Sequence, residues 1–205
     1  TSSAMWPLEG LYAEAVTAHP ASQRTALAME FTEVGLVLGR QPAELEFLGF
    51  DAHAGIRRAV MVMYRELVPT EGMAVHVPVR FESIVQRIYE VGGLSREITS
   101  STTPPREDLA AHTRMRTDIT AATKFVRITI DEYGTDFLEA LQALLLRFEH
   151  ERFDVVTLHL PLANPHTAFF GAGLGEFGLS FNAVFPAQAN GGALVLARCY
   201  TTQHS

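Results

Sequence analysis

The sequence predicts an α/β (α+β) fold in which one strand–turn–helix element recurs around a shared sheet. The recurrence itself is the first observation. Leu11–Thr17 runs into His19-Pro20, a helix around Ser22–Thr32 and Gly35-Leu36. Met73–Val77, with His76 and Pro78, runs into a helix around Arg80–Val91 and Gly93-Leu94. Asp154–Leu160, with His159 and Pro161, is followed by Asn164-Pro165, an apolar helical stretch and Gly178-Leu179. Second, Val126, Ile128 and Ile130 alternate with Arg127, Thr129 and Asp131, the period of a strand with one buried face. Third, Phe137, Leu138, Leu141, Leu144, Leu145 and Phe148 return at helical spacing and mark the strongest helix of the chain.

The remaining elements follow in order. Gly35–Phe47 reads as a short strand, a Gly39–Pro42 turn and a further extended piece, and Asp51–Gly55 as a loop. Ala59–Leu67 is apolar nearly throughout and is closed by Pro69 and Gly72 after about nine residues, a strand length. In the second helix Phe81, Ile84, Val85 and Ile88 form one stripe, with Arg80, Glu82, Gln86 and Arg87 largely off it, so that helix packs on a sheet. Two consecutive prolines and five Ser/Thr make Thr99–His112 an exposed connector. Arg114–Thr120 and Lys124–Asp131 then pair as strands, and Asp136 with Glu139 resembles a capping box at the start of the long helix. Ser180–Phe185 and, after Asn190-Gly191-Gly192, Ala193–Tyr200 close the chain as strands. The order over Arg114–Tyr200 is therefore β-β-α-β-α-β-β. The glycines of Gly171–Gly175 follow no strand and serve close packing of a short helix.

Composition narrows the function classes. The chain has 205 residues, 47% hydrophobic and 19% charged, which suits a packed globular protein without staples. Cys199 is the sole cysteine, so no intrachain disulfide forms, no Cys/His cluster has zinc spacing and a reducing, cytoplasmic setting fits. A net charge of −7 argues against nucleic acid as a partner, because that affinity comes largely from Lys and Arg. No apolar run approaches the ~18 residues of a spanning helix, so no membrane is expected. Thr1–Trp6 lacks the features of a signal peptide and an initiator Met, which fits a chain continuing a longer one. No Walker loop, dinucleotide fingerprint, His-Glu-x-x-His or Gly-x-Ser-x-Gly occurs.

The element order of the second half and two local texts resemble the GNAT superfamily of N-acetyltransferases. Ile88-Tyr89-Glu90-Val91-Gly92-Gly93-Leu94 is similar to that family's Leu-Tyr-x-x-x-Gly-Phe helix end, and Glu176-Phe177-Gly178-Leu179 to a shortened form of it. His19-Pro20-Ala21-Ser22-Gln23 and Leu158-His159-Leu160-Pro161-Leu162 look like bacterial GNAT-like modules attached to ATP-binding, anti-sigma-type kinase domains. The resemblance implies a mixed, largely antiparallel sheet flanked by helices on both faces. It divides the chain into residues 1–68, the back half of one GNAT-like domain, and 69–205, a second such domain with its connector at 99–112.

An acetyl-coenzyme A enzyme of this family holds the pyrophosphate on backbone amides of a glycine-rich turn opening the long helix, where the dipole favours anions. The matching place here is Asp131-Glu132-Tyr133-Gly134-Thr135-Asp136, with one glycine. Gly134, Thr135 and Asp136 are thus the candidate cofactor-binding residues. The expectation is that Asp136 caps the helix with its own carboxylate and repels a phosphate, so that acetyl-CoA does not bind in the usual way. Tyr89 matches the family's general-acid tyrosine and could protonate a leaving thiolate, or be a half-buried amphipathic tyrosine. Phe31, at the matching place of the first copy, cannot donate a proton. His19 and His159 close strands where αβ proteins place ligands, and could act as base or ligand, or bond a nearby carbonyl. His76 sits on the matching strand, while His112, His150 and His204 read as surface residues. No metal is expected. The resulting expectations are a GNAT-like sensing or protein-interaction module, an acetyl-CoA-dependent N-acetyltransferase taking a small-molecule amine, or a purely structural pairing module whose Ala193–Tyr200 edge needs a cover. The partners expected are a second copy or an upstream domain.

Overall fold

The computed structural model describes residues 8–17, 20–43, 56–70, 72–105, 109–187 and 191–200. Its centre is an eight-stranded, mixed and mostly antiparallel sheet with four α-helices. In chain order the elements are β1 (Gly10–Val16), α1 (Pro20–Ala28), β2 (Thr32–Gln41), β3 (Arg58–Glu66), β4 (Met73–His76), α2 (Glu82–Gly92) and β5 (Arg96–Thr99). They continue as β6 (Arg114–Thr120), β7 (Phe125–Glu132), α3 (Phe137–His150), β8 (Val155–Pro161), α4 (His166–Phe170), β9 (Ser180–Phe185) and β10 (Ala193–Cys199). The sheet runs β1-β3-β2-β9-β10-β8-β7-β6, and β4 and β5 form a separate parallel pair.

The second half has the expected β-β-α-β-α-β-β order. Within the large sheet β7 and β8 are the parallel neighbours, joined through α3, and every other neighbouring pair is antiparallel. Alternation in β7 buries Val126, Ile128 and Ile130, and the α3 stripe buries Phe137, Leu141, Leu145 and Phe148 in the same core. Gly171 and Gly173 do serve close packing: a Cβ there would lie 2.2 Å from Pro78 and 2.9 Å from Leu138.

A pseudo-two-fold relates β1-α1-β2-β3 to β8-α4-β9-β10. β1 and β8 are both seven residues long. Both helices start at or just after a proline, Pro20 and Pro165, and both helical regions end in a left-handed residue, Glu30 (φ 62°) and Gly178 (φ 65°). Next come the strand starts Thr32 and Ser180, and then a bulge in each strand, at Val34 in β2 and Asn182 in β9. The residues after the bulges, Gly35 and Ala183, pair with each other and join the halves into one sheet. Gly35 has φ 153°, and a Cβ on it would fall 2.2 Å from the Ala183 Cα. Only glycine allows this approach.

Several expectations are corrected by this arrangement. Gly39 (φ 61°) does not turn the chain; β2 continues through it as an irregular strand to Gln41. The middle copy has the expected strand, helix and Gly93 (φ 63°, the left-handed C-cap of α2), but β4 and β5 pair apart from the large sheet instead of joining it. β10 is no open edge, since it lies between β9 and β8. The first and third copies are also out of step by sequence motif: His159 lies opposite Val195, as Glu14 lies opposite Val62, so Glu14 occupies the place of His159. His19 lies outside the described residues. Among the described residues no helix is long and apolar enough to cross a membrane.

Candidate functional site

Ladder pairing between β7 and β8 runs from Phe125–Val155 to Thr129–His159 and stops, while β7 continues to Glu132 and β8 to Pro161. Parting parallel strands open a crevice at their carboxyl ends, where αβ sheets commonly place ligands. A cleft of about 620 Å³ lies there. Its walls include Thr129 and Asp131 of β7, His159 and Pro161 of β8, and Asn164 beyond it. β6 contributes Arg116 and Asp118, because Arg116 stands opposite Thr129 and Asp118 opposite Arg127.

The β6–β7 hairpin carries opposite charges along its two strands. Arg114 pairs with Glu132 at 2.7 Å and Arg116 with Asp131 at 3.2 Å. The Arg127 and Asp118 side chains, although directly opposite, are not paired, and neither side chain has a hydrogen bond or ion pair among the described residues. The Nε of Arg127 is buried without an acceptor.

Beneath the cleft a short polar chain fixes the strand ends. The Tyr133 hydroxyl lies 2.8 Å from the Thr167 Oγ1, and the Thr167 hydroxyl donates to the Pro161 carbonyl at 2.6 Å. Burial pushes the Tyr133 phenol well above its ordinary range, against a smaller opposing effect of the Thr167 contact. Asn164 Oδ1 accepts from the His166 N–H at 2.9 Å, an Asx turn that starts α4. His159 is 5% exposed, and its ring lies 5.9 Å from that of Phe185.

The turn between β7 and α3 is closed by the chain itself. Ala110 bridges to Gly134 in parallel, and a Cβ on Gly134 would lie 2.4 Å from both the His112 carbonyl carbon and the Thr113 nitrogen. Gly134 donates its N–H to Thr113 Oγ1 (2.9 Å), Thr135 to the Ala110 carbonyl (2.9 Å) and Phe137 to the Gly134 carbonyl (3.2 Å). The end of the connector is therefore docked on the turn, while Ala111 and His112 stay exposed as expected. Asp136 does not cap α3 with its side chain, contrary to expectation. Its carboxylate turns to the docked segment, accepting from the Thr113 N–H at 2.7 Å and meeting His112 Nδ1 at 3.0 Å. Those bonds, the His112 contact foremost, hold its carboxyl below the ordinary range.

Of the residues singled out by sequence, His159 reaches the cleft, and Gly134, Thr135 and Asp136 stand at the closed turn beside it. Tyr89 is elsewhere. It is buried in α2, more deeply than the half-buried reading, and its hydroxyl has no hydrogen bond among the described residues. Burial pushes that phenol far above its ordinary range, so it holds its proton tightly. The sequence reading missed Arg116, Asp118 and Arg127; the usable signal was the charge alternation of β7 read across its hairpin partner. Among the described residues no group of three His, Cys, Asp or Glu side chains could hold a metal ion. No family model, no curated protein and no solved structure matches the chain.

Proposed function

We propose that this chain is a GNAT-like module that has lost the coenzyme A phosphate turn and serves as a sensing module in the cytoplasm, with its ligand in the cleft between β7 and β8. The observation that carries the reading is the seating of Ala110–Thr113 on the β7–α3 turn. The amides of Gly134, Thr135 and Phe137 already donate within the chain, and a pyrophosphate would have to displace that segment. Asp136 adds a negative charge at the same place, with its pKa held low. The polar cleft nearby keeps a cation and an anion that are unpaired among the described residues, which suits recognition of a small ligand.

Thermal denaturation with coenzyme A and acetyl-CoA tests this. A ligand present at 100 times its Kd adds about 2.7 kcal/mol, which for a chain of this size raises Tm by about 5–10 °C. No rise is expected with either compound. A saturable rise with either compound would reject the reading. The acetyltransferase alternative draws on the same parting of β7 and β8 and on His159 in the cleft wall; release of free thiol from acetyl-CoA in the presence of an amine would establish it.

A further inference from the structure

We infer that the cleft takes a small zwitterion, with its carboxylate on Arg127 and its ammonium on Asp118, as in a free α-amino acid. The inference rests on the sensing reading and names the ligand class of that site. Arg114 and Arg116 of the β6–β7 hairpin close ion pairs of 2.7 and 3.2 Å, the first across the register with Glu132 and the second diagonally with Asp131. Asp118, directly opposite Arg127, makes no ion pair with it, and among the described residues this rung stays open although cross-strand neighbours are close enough to pair. It is also a rung that lines the cleft.

Arg127 is partly buried, with its Nε shut off from solvent and without an acceptor. The buried Nε is closed to a ligand, but the Arg127 guanidinium has no carboxylate partner among the described residues, and a ligand carboxylate can meet its two terminal nitrogens as a forked pair. Asp118 is exposed and supplies the opposite charge one strand away. A ligand with one charge satisfies one of the two groups and leaves the other open. A ligand whose ammonium and carboxylate sit on the same carbon satisfies both across a single cross-strand spacing. Thr129, Asn164 and His159 line the rest of the cleft with groups able to hydrogen-bond a side chain.

The test uses the whole chain and four probes of different side-chain class: L-serine, L-glutamate, L-lysine and L-phenylalanine, each beside its N-acetyl and its amide derivative. At ten times Kd at least one free amino acid is expected to raise Tm by about 3–6 °C. Its N-acetyl form, without the cation, and its amide, without the carboxylate, give no comparable rise. Asp118→Asn and Arg127→Gln each abolish the effect while leaving the ligand-free Tm close to that of the parent. Should Arg127→Gln fail to fold, Arg127→Lys keeps the charge but loses the forked donors, and is expected to weaken binding about tenfold. The absence of a rise with all four amino acids at about 50 mM overturns the inference, as does an equal rise with either derivative. Coenzyme A, titrated in parallel, reports on the sensing reading alone, so the two failures are distinguishable.

Discussion

Replacing Gly35 with alanine is expected to break the joint between the two halves of the sheet. The new Cβ would lie 2.2 Å from the Ala183 Cα, 2.4 Å from its Cβ and 2.4 Å from the Asn182 carbonyl oxygen. Two of those three atoms belong to backbone, so no side-chain rotation relieves the contact. Overpacking of this kind costs about 1–3 kcal/mol. A side chain at φ 153° adds about 1–3 kcal/mol of backbone strain. The sum, about 2–6 kcal/mol, is a large part of the 5–15 kcal/mol by which a domain is typically stable.

Urea unfolding measures this directly. With a slope of about 2–3 kcal/mol per molar, the midpoint should fall by about 0.7–3 M. Gly93→Ala isolates the conformational part, because Gly93 has φ 63° and nothing within 4 Å of a built Cβ; its cost is about 1 kcal/mol. A Gly35→Ala variant no less stable than Gly93→Ala would refute the close approach of β2 and β9. A lowered slope would show the halves coming apart before either unfolds, since the Gly35–Ala183 pair is where their ladders meet.

Two further outcomes follow from charged groups. Asp136 is held below the ordinary Asp value of 3.8, so its contribution is present above that pH and is lost as pH falls through the lowered folded-state value. Thermal melts should therefore show a steeper loss of Tm below pH 3.8 for the parent than for Asp136→Asn, and parallel curves would contradict the assignment. Arg96 is 1% exposed and pairs with Glu66 at 2.7 Å, so Glu66→Gln strands a buried cation and should cost about 3–5 kcal/mol. The double change Glu66→Leu with Arg96→Met should lose less than Glu66→Gln alone, and strictly additive losses in a urea double-mutant cycle would be inconsistent with this.

What could be read from sequence is what local periodicity encodes. Val126, Ile128 and Ile130 announced β7, and the stripe from Phe137 to Phe148 announced α3, because burial on one face imposes its period on the chain. The seam could not be read that way. The bulges at Val34 and Asn182 insert one residue each without any compositional mark, and the partner of Gly35 is an alanine 148 positions later. Asp136 shows a second limit. Its capping-box spacing with Glu139 is a local signal, but the Thr113 N–H and the His112 ring come from a segment more than twenty residues earlier and take the carboxylate instead. The cleft needed one fact that no single strand contains, the β6–β7 register that sets Asp118 against Arg127.

The pseudo-two-fold also explains why the cleft lies in the second half. β8 has β10 on one side and the parallel β7 on the other, and the crevice exists because β7 and β8 separate after Thr129 and His159. β1, the counterpart of β8, pairs with β3 and has no neighbour on its outer side among the described residues. With no second strand to diverge from, the same unit makes no crevice there. The side chains agree with the geometry: the place of buried His159 is held in β1 by Glu14, whose side chain is half exposed and lies 3.7 Å from Arg40. What distinguishes the halves chemically is therefore the β6-β7-α3 segment, which supplies the diverging strand, the open charge rung and the turn that Ala110–Thr113 closes.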